Sequence, residues 1–223
     1  EAGEEIRKYA SDSQAGAQQN FVIQFVHDNR PFAMFLGDRL EYQTREGNDI
    51  FLWDVQAWFG TDYNKVWFKS EGEYGLEADR FDEAQIELYF SRTVASFWDL
   101  QIGIRHDLEP DPERSFAALG IQGLAPLWFE VEATAYVSED GDLSAAVEVE
   151  YDLLLSQRLI LQPRAETSLA VQEVEANGVG QGFNDIEVGL RLRYHIRREL
   201  APYIGVSWSR KLGETADLAE DEG

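Results

Sequence analysis

Long stretches of this chain alternate between apolar and polar residues, and that period of two constrains the fold more than any other feature. In 84–91, Ala84, Ile86, Leu88 and Phe90 take one side while Gln85, Glu87, Tyr89 and Ser91 take the other. In 98–107, Trp98, Leu100, Ile102 and Ile104 oppose Asp99, Gln101, Gly103, Arg105 and Asp107. Segments 128–137, 143–153 and 186–195 repeat the pattern. Successive side chains of a strand point to opposite faces, so each segment is a two-faced ribbon. Further strands are expected at about 32–44, 49–60, 65–75, 115–125, 157–171 and 200–211, making eleven. Helical i, i+3, i+4 stripes are scarce.

The polar faces are unusual in kind. Taken strand by strand, they hold Asp54, Glu71, Glu73, Glu87, Asp99, Asp107, Glu130, Glu132, Glu148, Glu150, Asp152, Glu166 and Glu187. Against these stand Lys69, Arg105, Arg158, Arg164, Arg191, Arg193 and Lys211. The whole chain carries 42 Asp and Glu against 19 Lys and Arg, a net charge of −23. Such a balance excludes a phosphate-backbone binder, which needs clustered cations, and suits attraction of cations. Cysteine is absent, which removes disulfides, thiolate ligands and thiol nucleophiles together. No apolar run is long enough for a transmembrane helix. No basic-then-apolar leader opens the sequence, so a signal peptide is read as already removed.

A water-soluble β-sandwich would also alternate. Strands of about 10–12 residues match a tilted bilayer crossing instead, and carboxylate-rich faces with interspersed Arg suit a wet lumen. Trp53, Trp58, Trp67, Tyr63, Trp98, Trp128, Tyr203 and Trp208 lie near strand ends, as in aromatic girdles. Tight turns at Ala125-Pro126, Ser156-Gln157 and Arg198-Glu199 alternate with longer loops at 108–114, 138–142 and 172–183. Short turns mark the periplasmic end of such barrels. The expected fold is therefore all-β, an antiparallel up-and-down transmembrane β-barrel of about twelve strands. Eleven are visible, and because single-chain barrels have even strand numbers, a closing strand is expected beyond residue 223. The end at Asp221-Glu222-Gly223 reads as a polar loop. Residues 1–30 read as a flexible periplasmic arm and 31–223 as the barrel.

Acids spaced i, i+2 share a strand face, so Glu71/Glu73, Glu130/Glu132 and Glu148/Glu150/Asp152 form rows in the lumen wall. Two readings fit: Glu–Arg ladders that brace a plug, or a negative funnel that concentrates cations. The ion pathway would use Asp54, Glu71, Glu73, Glu87, Asp99, Glu130, Glu132, Glu148, Glu150 and Asp152, with Arg191 tuning the wall. Softer metal ligands are few: His27, Met34, His106 and His195. His195 falls on an inward face and His106 on the outer or rim side. No G-x-S-x-G nucleophile motif exists, and a Ser–His pair would have to form across strands, for example His106 with Ser115 across the intervening loop. Gly178-Val179-Gly180-Gln181-Gly182 lacks any nucleotide-binding context and reads as a flexible external loop. No enzyme is expected.

The words along the strands resemble the copper resistance protein B family of Gram-negative outer membranes. The resemblance rests on Trp53-Asp54-Val55-Gln56-Ala57-Trp58, Gly120-Ile121-Gln122-Gly123-Leu124-Ala125-Pro126 and Gln157-Arg158-Leu159-Ile160-Leu161-Gln162-Pro163-Arg164. Gly189-Leu190-Arg191-Leu192-Arg193-Tyr194 and Glu199-Leu200-Ala201-Pro202-Tyr203 continue it, over about 32–219. It implies an outer-membrane barrel that binds or passes copper ions in an acidic lumen, set in the lipid bilayer and lipopolysaccharide. The alternative is a plugged scaffold whose arm docks a periplasmic copper-binding protein. A barrel lipid hydrolase stands third. Relatives often carry a Met- and His-rich arm, whereas this one has His27 and little else.

Overall fold

The computed structural model describes residues 30–45, 48–174, 177–197 and 199–221. His27 and the arm, apart from Arg30, lie outside the described residues.

Twelve strands form one antiparallel sheet: β1 (Phe32–Arg45), β2 (Asn48–Gly60), β3 (Asn64–Gly75), β4 (Arg80–Ala95), β5 (Trp98–Glu109), β6 (Arg114–Ala125), β7 (Phe129–Ser138), β8 (Leu143–Glu150), β9 (Leu153–Leu154), β10 (Leu159–Ala170), β11 (Gly182–Tyr194) and β12 (Tyr203–Lys211). Each strand pairs with its neighbour in sequence, except that β8 pairs with β10 and the two-residue β9 sits beside that path. The eleven expected strands are thus present. The sheet curls into a half-barrel, far enough that side chains cross between its first and last strands. Tyr203 Oη of β12 accepts from the Leu40 backbone N–H of β1 at 3.2 Å and donates to Glu41 at 3.1 Å. No backbone ladder joins β1 to β12 among the described residues. With eleven strands alternating along the path, the first and last run the same way, so antiparallel closure between them requires one more strand.

Local deviations from the sequence reading have identifiable causes. The expected strand 143–153 breaks after Glu150 because Pro163 opposite has no N–H: Tyr151 N donates to Pro163 O, and nothing can be returned. Trp128 is not a strand residue. It sits in a 3₁₀ turn, Pro126–Trp128, where Leu127 and Trp128 adopt φ of 70° and 69°. Arg158 lies exposed in the turn before β10 rather than in the lumen wall. After β12 the chain forms helix α1 (Gly213–Asp221), and residues 222–223 lie outside the described residues. Of the girdle candidates, Trp58 and Trp67 face inward and pack at 6.2 Å, since they share parity with Asp54 and Glu71. Trp98 also lines the interior, whereas Tyr63, Trp128 and Trp208 are exposed.

The alternation places apolar side chains outside. Phe35 and Ile204 are each 75% exposed, and Leu88, Phe90, Ile102, Ile104, Leu119 and Val206 share that outer face. The inner face buries Arg39, Glu87, Gln101, Glu150, Gln162, Arg164 and Arg191.

Candidate functional site: an acidic, braced lumen

Two cavities occupy the concave side. One of about 700 Å³ lies toward the tight-turn end, reached past Met34, Leu36, Asp62 and Phe97. Another of about 570 Å³ lies toward the loop end, past Asp82, Glu109, Asp142 and Asn177. They share Glu71, Gln85, Arg105, Tyr136, Ala146 and Glu166 as common lining. Eleven carboxylates face the first cavity against Lys65, Lys69 and Arg105, so its field is strongly negative.

Between the cavities runs a network of three arginines. Arg164 on β10 forks onto Glu148 of β8 at 2.9 and 2.8 Å and also meets Glu166 at 2.7 Å. Its guanidinium reaches Glu150 at 3.3 Å and Glu187 of β11 at 3.5 Å. Arg39 of β1 takes the same Glu187 at 3.4 Å and Glu41 at 3.3 Å. Arg191 closes the circuit to Glu41 at 3.6 Å, Glu150 at 3.7 Å and Asp38 at 3.8 Å. Six acids thus meet three arginines, so even the brace is net negative. Elsewhere Lys65 pairs with Asp99 at 2.7 Å, Arg193 with Asp152 at 2.7 Å, and Lys69 bonds Glu132 across the lumen. Gln85 donates to Glu71 at 3.0 Å and Tyr136 donates to Glu87 at 3.1 Å.

Eight predicted pathway acids meet in the larger cavity: Asp54, Glu71, Glu87, Asp99, Glu130, Glu132, Glu148 and Glu150. Glu73 lines the other cavity, Asp152 is held by Arg193, and Arg191 belongs to the brace. The softer ligand candidates are not brought together. Met34 lies at the tight-turn mouth, and His195 follows β11 with Nε2 enclosed and unpartnered. His106 faces outward, where Nδ1 lies 3.0 Å from Ser115 Oγ and Nε2 lies 3.6 Å from Glu113. That Ser–His contact lies across the β5–β6 pair at its loop end. Among the described residues no group of three or more His, Cys, Asp or Glu is arranged to hold a metal ion.

Sequence reasoning missed Asp38, Arg39, Glu41 and Lys65. A register shift between Gly37 and Arg39 brings the consecutive side chains of Asp38 and Arg39 both inward. A glycine followed by Asp inside an alternating strand is the signal that could have found the bulge.

A sequence model described as copper resistance protein B precursor matches residues 31–223, the whole sheet and helix. This chain belongs to the copper resistance protein B family. It is 45% identical over 198 residues to the copper resistance protein B of Escherichia coli, covering 89% of this chain and 66% of that protein. It is 38% identical over 197 residues to a copper resistance protein B homolog of Pseudomonas syringae pv. tomato, covering 88% and 66%. The chain therefore spans just under two thirds of the length of these relatives. The segments that carry the family resemblance fall on β2, on β6 with its following turn, on β10 and on β11. Those strands present Asp54, Gln122, Gln162, Arg164 and Arg191 to the interior.

Proposed function

We propose that this chain is a non-enzymatic outer-membrane barrel whose acidic lumen attracts copper ions and passes them on, in copper resistance. The observation that carries the reading is the inversion of faces, apolar outside and carboxylate-lined inside. With aromatic side chains of roughly 150–250 Å², the exposed parts of Phe35, Phe51, Phe59, Phe68 and Phe90 alone present on the order of 500 Å². That already matches the roughly 300–600 Å² of a typical soluble protein's largest patch, before Leu88, Ile102, Ile104 or Leu119 is counted. Lipid is the medium in which such a surface is stable. The names of the family and its relatives supply copper, and the family's description as a precursor fits an exported chain.

The inner chemistry fits transit better than capture. Carboxylates spread over a wall, without a chelating trio among the described residues, bind a cation weakly at many points, which is what conduction requires. Oxygen donors favour Cu(II) over Cu(I), which prefers thiolate and thioether. A purified barrel loaded with Cu(II) should lose most bound metal when Glu130, Glu132, Glu148 and Glu150 are all changed to Gln. Unchanged metal content would sink the reading. The Arg164 brace favours a second reading, a closed scaffold whose N-terminal arm docks a periplasmic copper-binding partner. Deleting residues 1–30 separates the two: a conduit keeps passing ions and a scaffold loses its partner.

A further inference from the structure

We propose that Arg164 is a tethered internal cation that gates the lumen and selects for multivalent over monovalent ions. The inference rests on the cation-conducting reading above and names the regulation of that same lumen.

Arg164 is 4% exposed, yet the carboxylates it holds belong to both cavities. Glu148 lines the cavity at the tight-turn end, Glu187 lines the one at the loop end, and Glu166 lines both. One guanidinium therefore ties the last acid of one chamber to the first acid of the next. A cation that enters from either side meets carboxylates whose lone pairs are already occupied by N–H donors. To cross, it must take Glu148 or Glu166 while the guanidinium is released toward Glu187 or Glu150, which lie at 3.5 and 3.3 Å and are less tightly bonded.

The residue type matters. A guanidinium does not lose its proton in a protein, and its planar fork matches the carboxylate in two parallel bonds. What displaces it must take the carboxylates in its place, as a competing cation does. A divalent ion, carrying twice the charge toward the same carboxylates, competes far better than sodium or potassium. The surplus of acids in the brace leaves negative charge for the arriving ion once Arg164 swings aside. Arg39 and Arg191 cannot take over the role, because neither contacts Glu148 or Glu166 among the described residues.

The test is single-channel recording of the full chain in planar lipid bilayers, first in KCl alone and then with Cu(II), for wild type, Arg164→Lys and Arg164→Gln. Wild type should be nearly silent in KCl and Arg164→Gln should conduct it well above that level, with Arg164→Lys between them. Should Arg164→Gln fail to fold, judged by heat-modifiable gel mobility, the triple change Arg164→Gln, Glu148→Gln and Glu166→Gln carries the test, since Glu150 and Glu187 keep Arg191 and Arg39 as partners. Equal KCl conductance in wild type and the Gln variants, whether high or absent, overturns the gate. Copper content measured on the same samples keeps the two ideas apart. Retained copper with unchanged conductance removes the gate alone, whereas KCl currents that appear in Arg164→Gln without any copper bound remove the copper reading alone.

Discussion

Placing an arginine at Ile104 discriminates a lipid-facing surface from a wet one. Ile104 points outward from the middle of β5, six residues after Trp98 and five before Glu109. With a rise of roughly 3.3 Å per residue and a tilt of about 40°, it lies about 13–15 Å from either end of the strand. That is near the midplane of a bilayer core about 30 Å thick. Phe59 also points outward but sits one residue from the end of β2, and both side chains are 61% exposed. In water the two substitutions would be near-equal surface changes, within about 0.5 kcal/mol. In lipid the cost of arginine is about 2–4 kcal/mol at the midplane and about 0–1 kcal/mol near the interface. Ile104→Arg should therefore destabilise the barrel by about 3 kcal/mol, roughly a hundredfold in the folding equilibrium, and Phe59→Arg by little. Urea unfolding in phospholipid vesicles, followed by tryptophan fluorescence, measures both. Equal midpoint shifts for the two variants would refute a membrane-facing outer surface.

Two more outcomes test how the wall and its cap are built. A Cβ at Gly103 would lie 2.1 Å from Leu88 O and 2.6 Å from the Tyr89 ring, so the Tyr89 side chain covers the bare backbone there. Gly103→Ala should cost about 1–3 kcal/mol by overpacking, read as a lowered unfolding midpoint with unchanged β content by circular dichroism. At the loop end, Gly180 N donates to Thr215 Oγ1 at 2.9 Å and Gln181 N donates to Glu214 at 3.0 Å, while a Cβ on Gly180 would meet Thr215 N at 2.4 Å. Gly180→Ala should therefore release α1 and expose 213–221 to limited proteolysis, leaving the sheet intact.

Much of the wall was legible because its information is local. Parity along one strand assigns Glu130, Glu132, Glu148 and Glu150 to a common face whatever the rest of the chain does. The same parity, applied to Trp58 and Trp67, would have turned them inward, where their position near strand ends suggested girdles instead. The joining of the glycine-rich stretch around Gly180 to helix α1 was not legible, because their hydrogen bonds, with Asn184 beside Thr215 at 3.2 Å, link residues more than 30 positions apart.

The period of two, the carboxylate excess on one face and the strand count were settled by residue order, since each depends only on neighbours along a ribbon. What residue order left open was which acids meet which arginines, and the curl of the sheet decided that. Curling brings Arg39 within 3.4 Å of Glu187, 148 positions away, and gathers Glu148, Glu166 and Glu187 around a single guanidinium. No local pattern encodes that meeting, because it exists only once the ten strands on the path from β1 to β11 have curled to bring its ends together.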